Sequence, residues 1–430
     1  MSKRVTVGAG ALGALLAAPG AAQADDFNVT NLNDEGSGSL RQAVLDANDN
    51  DGTDRILFKS KLSGTIELSS GELRVYDAVQ ILGPGARKLT LNAGPSERVF
   101  YTHSHADDPV TISGLTLTGG NTGGGGAIFN YHTDPLRLER VTITGNFAEA
   151  VGGAISNSQA SLAIESSTIS DNTVDSGEPF NFGYGGGIFA TLSEVTIVNS
   201  TISGNDSNQD GGGVYFTDGT DSSLRHVTIT DNSADDDGGG LYANNGTLDV
   251  VASVVAGNTA PDEDDDLYVN DDFSFAFSLI GITSEDPPAD ELSGAGNILG
   301  SNPKLKPLKN NGGPTNTHAF KKSPLKNKVP KSESETKDQR GAKRKGKGDI
   351  GAYELVKCEG VIVNRVGTGK KDKLKGTKKA DGILGLGGND KLAGKKGKDG
   401  LCGGKGKDKL KGGPGNDKLD GGPGKDKEVQ

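Results

Sequence analysis

The sequence predicts an all-β protein, in which a right-handed parallel β-helix with an N-terminal helical cap is followed by a short parallel β-roll. Three observations predict this class. One phrase recurs about every 26 residues through the middle of the chain, and a nine-residue phrase recurs near its end. Only 33% of the 430 residues are hydrophobic, whereas 67 are glycine. That composition is thin for one thick core and suits an elongated fold of stacked coils.

The first residues have the pattern of a secretory signal peptide. Lys3 and Arg4 form a charged segment, residues 5–18 form an apolar run, and Ala22-Gln23-Ala24 reads as a cleavage site. The apolar run is too short to span a bilayer, and no other stretch approaches that length. We therefore expect residues 1–24 to be removed and the mature protein to be secreted, extracellular or at the cell surface.

Residues 25–105 are predicted to hold the N-terminal cap and the first coils. The stretch SLRQAVLDAN reads as a short helix in which Ser39 and Gln42 form a capping box. Such a helix would cover the open edge of the first coil. Its apolar face comprises Leu40, Ala43, Val44 and Ala47. The stretches DRILF, GTIELSSGEL and AVQILGPG read as strands of the first coils.

Residues 106–282 are predicted to form the main parallel β-helix. Six repeats combine β-branched alternation, an Asn after Gly or Asp, a polar turn and a Gly run. Each repeat has room for two or three short strands, which would pair in parallel about 4.8 Å from the next coil. The insertion VDSGEPFNFGYG reads as a longer surface loop. The recurring asparagines are Asn121, Asn146, Asn172, Asn205, Asn232 and Asn258, at steps of 25, 26, 33, 27 and 26.

Apolar residues on both sides of these asparagines are predicted to point inward, on two walls. The Asn row itself is expected at a corner, where its amides bond from coil to coil. The Gly runs would allow tight bends. One wall comprises Ile112, Leu115, Leu117, Val141, Ile143, Ile169, Ile202, Val227 and Ile229. The other wall comprises Ile128, Ile155, Ile188, Val214 and Leu241.

The stretches VTNLNDEGSGSLRQAVLDAN and VTISGLTLTGG…GGGGAIFN resemble a class of bacterial secreted and surface β-helix proteins. Residues 302–354, with NPKLKPLKNNGGPTNTHAF and DQRGAKRKGKGDIGAYE, resemble the tail of the same proteins, often called a choice-of-anchor region. Residues 283–354 are therefore assigned as a connecting, anchor-like region. The resemblance implies a fold and says little about chemistry.

The sequence leaves an enzyme as the alternative, because parallel β-helices include polysaccharide lyases and glycoside hydrolases. The candidate acidic clusters are residues 235–237 and 262–266, and Arg225 is the nearby base. Solvated turns are the ordinary explanation of such clusters. His103 and His105 form an H-x-H without a third metal ligand. No catalytic residues are assigned.

Charge divides the chain into an acidic front and a basic rear. The net charge is −29 over residues 1–302 and +18 over residues 303–430. A basic module attracts acidic partners, such as a surface polysaccharide or another anionic polymer. A merely solvated surface is the alternative, and the sequence does not favour nucleic acid as the partner.

Residues 355–430 form a rear module that repeats every nine residues from Gly367, with Gly at position one and Asp at position six. Position eight is apolar in the first six units and is Glu428 in the last. Seven units start at Gly367, Gly376, Gly385, Gly394, Gly403, Gly412 and Gly421. The pattern is similar to the G-G-x-G-x-D-x-U-x repeat of the RTX, or haemolysin-type, family. This resemblance implies a calcium-binding β-roll in which two units make one coil and the turns alternate between two sides.

Calcium, the one cofactor that the sequence implies, would be held between stacked turns by Asp carboxylates and Gly carbonyls. Stacked carboxylates repel each other, so the roll should need the cation to fold. Asp372 and Asp381 are expected to bind more weakly, because Lys370 and Lys379 replace the Gly at position four. The predicted ligands are Asp390, Asp399, Asp408, Asp417, Asp426, Gly385, Gly394, Gly403, Gly404, Gly412, Gly413 and Gly421.

Lysines fill the odd positions of these units, and their ammonium groups are expected to face solvent and to weaken calcium binding. A calcium-free roll, in which lysine offsets the Asp rows, stays open as an alternative. Cys358 and Cys402 are the only cysteines. Export permits a disulfide between them, and two free thiols are the other possibility. The sequence thus favours an exported calcium-binding β-helix protein with a structural or binding role.

Overall fold

The computed structural model describes residues 24–103, 109–132, 135–177, 182–261, 266–281, 292 and 296–430. Nearly all of the predicted signal peptide, together with His105 and residues 262–265, lies outside the described residues. Within them, no helix is long and apolar enough to cross a membrane.

The N-terminal part consists of a short strand, one helix and then six further short strands. They are β1 (Asp26–Val29), α1 (Leu40–Asn48), β2 (Asp54–Phe58), β3 (Gly64–Leu68), β4 (Leu73–Val75), β5 (Val79–Leu82), β6 (Leu89–Ala93) and β7 (Phe100–Thr102).

The main coils contribute strands of two to eleven residues. They are β8 (Val110–Ser113), β9 (Thr116–Thr118), β10 (Asn121–Gly124), β11 (Ile128–Tyr131), β12 (Leu136–Glu139), β13 (Thr142–Thr144), β14 (Phe147–Val151), β15 (Ile155–Ser158), β16 (Leu162–Glu165), β17 (Thr168–Ser170), β18 (Thr173–Val174), β19 (Ile188–Thr191), β20 (Glu194–Val198), β21 (Thr201–Ser203), β22 (Asp206–Ser207), β23 (Val214–Thr217), β24 (Asp221–Arg225), β25 (Thr228–Thr230), β26 (Ser233–Ala234), β27 (Leu241–Val251), β28 (Val254–Val255), β29 (Leu267–Ala276), β30 (Leu279–Ile280) and β31 (Ile298–Leu299).

The C-terminal module is built from short strands, most of them three residues long. They are β32 (Lys357–Cys358), β33 (Val361–Val366), β34 (Lys373–Lys375), β35 (Gly382–Leu384), β36 (Lys391–Ala393), β37 (Gly400–Cys402), β38 (Lys409–Lys411), β39 (Lys418–Asp420) and β40 (Lys427–Val429).

Parallel pairing between successive coils builds the β-helix, as predicted. One sheet runs β3-β6-β9-β13-β17-β21-β25-β28-β30-β31, and a smaller one runs β10-β14-β18-β22-β26. Two further stacks, β1-β2-β5-β8-β12-β16-β20-β24 and β4-β7-β11-β15-β19-β23, meet in the long strand β27, which also pairs with β29. The fold class is therefore confirmed.

The apolar residues predicted to point inward are buried, and together they form one continuous core along the β-helix. The assignment of Ile112 to the wall of Leu117 was wrong. Ile112 lies in β8 and pairs with Leu138, whereas Leu117 lies in β9 and pairs with Ile143. The chain bends between the two strands at Gly114, whose φ of 63° is a left-handed conformation that glycine adopts readily.

Helix α1 caps the open end, with the predicted face of Leu40, Ala43, Val44 and Ala47 buried. The Ser39 side chain accepts a hydrogen bond from the backbone N–H of Gln42, as a helix cap does. The reciprocal half of the predicted capping box is absent. The Gln42 side chain instead donates to Asp46 Oδ1 at 2.8 Å, one helical turn further along.

A buried row of asparagine amides runs along one corner of the coils. Asn205 Nδ2 donates to Asn232 Oδ1 at 2.9 Å, and the same contact recurs from coil to coil. Asn121 was wrongly placed in this row. Its side chain is exposed, and the neighbouring Gly120 fills the row by donating its N–H to Asn146 Oδ1. At the other end the row passes to Asp266, which accepts from Asn258.

The connecting region folds back along the outside of the coils. The buried Gln339 side chain accepts from Thr201 Oγ1 at 2.6 Å and donates to the Ser167 carbonyl at 2.9 Å. His318 Nε2 lies 2.9 Å from Ser203 Oγ. These contacts attach the connecting region, which leads into the C-terminal module, to the coils of the β-helix.

The C-terminal module is the predicted β-roll. One sheet runs β32-β33-β35-β37-β39 and the other runs β34-β36-β38-β40. β32 and β33 pair antiparallel, and the repeat strands pair in parallel at a step of 18 residues. Position-eight residues form the thin core between the two sheets, among them Ile383, Leu392, Leu401 and Leu410.

Candidate functional site

Two rows of aspartates line the two sides of the roll. In each row, the Oδ1 atom of one Asp accepts the backbone N–H of the Asp one coil earlier. Five such hydrogen bonds, of 2.8–2.9 Å, hold the turns in register. The first row is Asp372, Asp390, Asp408 and Asp426, and the second is Asp381, Asp399 and Asp417.

The second carboxylate oxygen of the four central aspartates is buried and has no hydrogen-bond partner. These atoms are Oδ2 of Asp390, Asp399, Asp408 and Asp417. A buried anionic oxygen without a partner is costly, and a bound cation relieves that cost. The residues therefore fit a hard cation that seeks oxygen ligands.

Position-one glycines complete the cradle. A β-carbon at Gly403 would fall within 2.6 Å of both Asp408 Oδ2 and the Gly421 carbonyl oxygen. The position therefore excludes side chains and keeps carboxylate and carbonyl oxygens close together. The other predicted position-one ligands, Gly385, Gly394, Gly412 and Gly421, are buried in equivalent places. Gly404 and Gly413, at position two, adopt left-handed conformations with φ of 97° and 105°.

The first coil of the roll satisfies its carboxylates without an ion. Asp372 Oδ2 accepts from the Thr368 backbone N–H at 2.6 Å and from its hydroxyl at 2.9 Å. Asp381 Oδ2 accepts the same pair of bonds from Thr377. Sequence reasoning set these two aspartates apart because of the lysines at position four. It missed the threonines at position two, whose hydroxyls occupy the oxygen that the later units leave free.

Burial disfavours the ionised form of the central carboxylates. It raises the pKa of Asp390 to about 6, and the charges of Asp408 and Asp372 add to the shift. Burial likewise raises the pKa of Asp399, with contributions from Asp417 and Asp381. A calcium ion binds the ionised form and would reverse this shift.

The lysines of the roll point away from the Asp rows, as predicted, and Lys405, Lys407, Lys409 and Lys411 are exposed. On the sheet built from β34, β36, β38 and β40, lysines stand opposite one another in register. This lysine row comprises Lys373, Lys391, Lys409 and Lys427. Like charges placed directly opposite repel each other, so the row lowers the stability of this sheet.

Cys358 and Cys402 form a disulfide bond in the structure, with their Cα atoms 6.0 Å apart. Cys358 lies in β32, and Cys402 lies in β37. The bond therefore joins the start of the module to the outer face of one roll sheet.

The acidic candidates of the β-helix come together only in part. Carboxylate oxygens of Asp210, Asp236 and Asp237 lie within 4.8 Å of one another. Burial raises the pKa of Asp210 to about 6. Arg225 does not face this cluster, because its guanidinium donates to the Glu333 carbonyl at 3.1 Å.

A row of aromatic rings runs beside the acidic cluster. Tyr215, Tyr242 and Tyr268 stack in parallel, with ring centroids 4.7 and 4.5 Å apart. Of the H-x-H pair, the described His103 lies at the end of β7, with Nδ1 3.1 Å from the Tyr131 carbonyl.

Comparison with known families supports this description. Residues 99–268 match the family described as right handed beta helix region. Residues 366–401 and 403–427 match the family described as RTX calcium-binding nonapeptide repeat. The first match covers the coils of the β-helix, and the second covers the nine-residue repeats of the roll. The chain is a right-handed parallel β-helix with C-terminal RTX calcium-binding nonapeptide repeats.

No curated protein matches the sequence. Among solved structures, the chain is similar to one described as the PL6 family alginate lyase AlyGC. The sequence identity is 10% and the TM-score is 0.22, over 92% of this chain and 71% of that chain. A likeness at this TM-score supports no inference about substrate or activity.

Proposed function

We propose that this chain is an exported calcium-binding β-helix protein with a structural or binding role at the cell surface or outside the cell. One observation carries the proposal. Four buried Asp Oδ2 atoms in the RTX repeats lack a partner and face glycine-lined turns. Calcium would be held by Asp390 and Asp408 on one side of the roll and by Asp399 and Asp417 on the other.

Calcium then acts as the switch that orders the roll. Without the ion, the buried carboxylates of each row repel one another and lack a partner, which disfavours the folded state. Extracellular calcium-binding modules work with dissociation constants of about 10⁻⁴–10⁻³ M, so weak sites suffice outside the cell. Export is supported by the signal-peptide pattern of residues 1–24 and by the disulfide, which an oxidising compartment permits.

The partner in this role is an anionic polymer such as a surface polysaccharide. The support is the net charge of +18 over residues 303–430, carried mostly by exposed lysines. The β-helix and the connecting region would then form the rigid body that presents this charge.

Calcium titration of the full-length protein tests the calcium assignment. Calorimetry should show binding at up to millimolar calcium, and a matched titration with magnesium should not. Far-UV circular dichroism should report a gain of β-structure on calcium binding alone. A protein that binds no calcium, or whose spectrum is the same in chelator, would overturn the proposal.

The alternative is a β-helix polysaccharide lyase or glycoside hydrolase, and the acidic cluster favours it. Asp210, with a pKa of about 6, lies beside Asp236 and Asp237 and next to the tyrosine row, so it could exchange a proton near neutral pH. Turnover of pectin-like polymers that is lost in Asp236→Asn would support the enzyme. Absence of turnover would leave the scaffold role.

A further inference from the structure

A cleft of about 690 Å³ opens where the connecting region meets the roll. Three separate segments line it, and each contributes exposed lysines. We name it the basic cleft. Its lysines are Lys306, Lys309 and Lys321 of the connecting region, Lys357 of β32, and Lys398 and Lys418 of the roll.

None of these six lysines forms an ion pair in the structure. In the described part of the chain, every ion pair uses an arginine or a histidine as its cation. Glu359 is the single acidic residue among those that line the cleft. The β-helix behaves differently, since Arg137 on its surface pairs with both Glu139 and Glu165. A concave site with six unpaired ammonium groups concentrates anions.

The floor of the basic cleft is apolar and firmly held. Phe320 and Tyr353 lie beneath it, with 1% and 3% of their surfaces exposed. Val361 and Ile362 are half-buried beside them. The Arg340 guanidinium packs 3.9 Å from the centre of the Tyr353 ring. A matching ligand has repeated negative charges that face the lysines and less polar faces that contact the half-buried Val361 and Ile362, as an acidic sugar chain does.

Nucleic acid fits these residues less well. Single-stranded nucleic acids are held by exposed aromatic rings on which bases stack, and both rings of this floor are buried.

The proposed calcium sites and the basic cleft share residues of the same turns of the roll. Lys398 directly precedes Asp399, and Lys418 directly follows Asp417, and both aspartates carry an unpartnered Oδ2. Ordering of that Asp row therefore positions two of the six lysines. The disulfide holds β32, which carries Lys357, against β37 of the same roll sheet.

The geometry points to a binding site for a segment of a linear acidic polysaccharide in the basic cleft. Calcium bound along the row of Asp399 and Asp417 orders the roll side of this site. The inference rests on the proposed function and adds the place where the partner binds.

Calorimetry of the full-length protein with a galacturonic acid hexamer, in 1 mM calcium and low salt, tests the inference. The triple variant Lys306→Gln/Lys321→Gln/Lys357→Gln should bind the hexamer about tenfold more weakly. The matched control Lys373→Gln/Lys391→Gln/Lys409→Gln removes the same charge from the opposite sheet and should change affinity less than about threefold. Arginine at the three cleft positions should preserve binding.

Calcium binding is measured on the same samples, so the two proposals fail separately. A protein that binds calcium but not the hexamer overturns the inference alone. So does an equal loss in the two triple variants, or a hexathymidylate that binds the cleft more tightly than the sugar. Hexamer binding that is unchanged in chelator overturns the coupling to calcium.

Discussion

Asp408 Oδ1 accepts the backbone N–H of Asp390 at 2.8 Å, while Asp408 Oδ2 is buried without a partner. The two oxygens of this carboxylate therefore have different roles in the roll. Its first oxygen sets the register between coils, and its second oxygen is free for an ion. The role of the second oxygen can be tested by mutation, because Oδ2 of Asp372, one coil before Asp390, already accepts hydrogen bonds from Thr368.

Asp390→Asn should weaken calcium binding by about tenfold or more, since it removes one anionic ligand. Asp372→Asn is the matched control, because its Oδ2 already accepts two hydrogen bonds from Thr368. We expect its calcium affinity to stay within about threefold of the parent. Calorimetry measures both. Equal losses would show that the first coil also holds calcium.

Thr368→Val should destabilise the calcium-bound roll by about 1 kcal/mol, because the Asp372 carboxylate loses the hydrogen bond from the Thr368 hydroxyl. Thermal unfolding in saturating calcium measures the effect. Thr65→Val is the control, because Thr65 is an exposed strand residue of the β-helix. A roll that is equally stable with valine at position 368 would contradict the capping role of the threonine.

Calcium affinity should fall as the pH drops below about 6. The folded pKa of Asp390 lies above its ordinary value of 3.8, so the ion-free roll is more stable when this group is protonated. That stability is fully present below pH 3.8 and is lost as the pH rises through 6. Calcium requires the ionised form, so binding should release protons near pH 6. Calorimetry in buffers of different ionisation enthalpy detects the release, and its absence would contradict the shift.

Asn205→Ala should destabilise the β-helix by about 3 kcal/mol, because buried groups of Asn172, Ile169 and Asn232 lose their hydrogen bonds to the Asn205 amide. Asn121→Ala removes an amide of the same repeat phrase that lies outside the row. Its effect should stay within about 0.5 kcal/mol. Denaturant unfolding compares the two variants, and similar losses would place Asn121 back in the row.

Lys395→Gly should stabilise the roll by about 0.5–1 kcal/mol. Lys395 adopts a left-handed conformation, with φ of 80°, at a position where later units have glycine. Lys396→Gly, one residue along and outside that conformation, should instead destabilise the roll by roughly the same amount. Thermal melting in saturating calcium distinguishes them. If both variants shifted the melting temperature in the same direction, the proposed backbone strain at Lys395 would be contradicted.

The sequence was sufficient where a period fixes geometry. Nine-residue spacing placed the Asp rows and the thin core, and the 26-residue phrase placed the inward-facing residues. The prediction of the asparagine row was wrong by one residue at Asn121. The position belongs to Gly120, which has no amide side chain and so does not show the pattern of the row in the sequence. The threonine bonds to Asp372 and Asp381 depend on turn conformation, which position-four lysines change.

The connecting region and the basic cleft could not be predicted, because neither has a period. Gln339 and His318 are buried against coils more than 100 residues away in the chain. The cleft lysines come from three segments that only the tertiary fold brings together. Charge counting found the basic half of the chain but not the place where its charges converge.

The covalent link between Cys358 and Cys402 also sets how far the protein can stretch under force. A pull on Gln430 can unravel the last coils only back to Cys402, because the bond passes the load directly to β32. The extensible part is residues 403–430, about 95 Å when fully drawn out at roughly 3.4 Å per residue. Any further extension must come from the connecting region or the β-helix, because the disulfide keeps the residues between Cys358 and Cys402 from being drawn out.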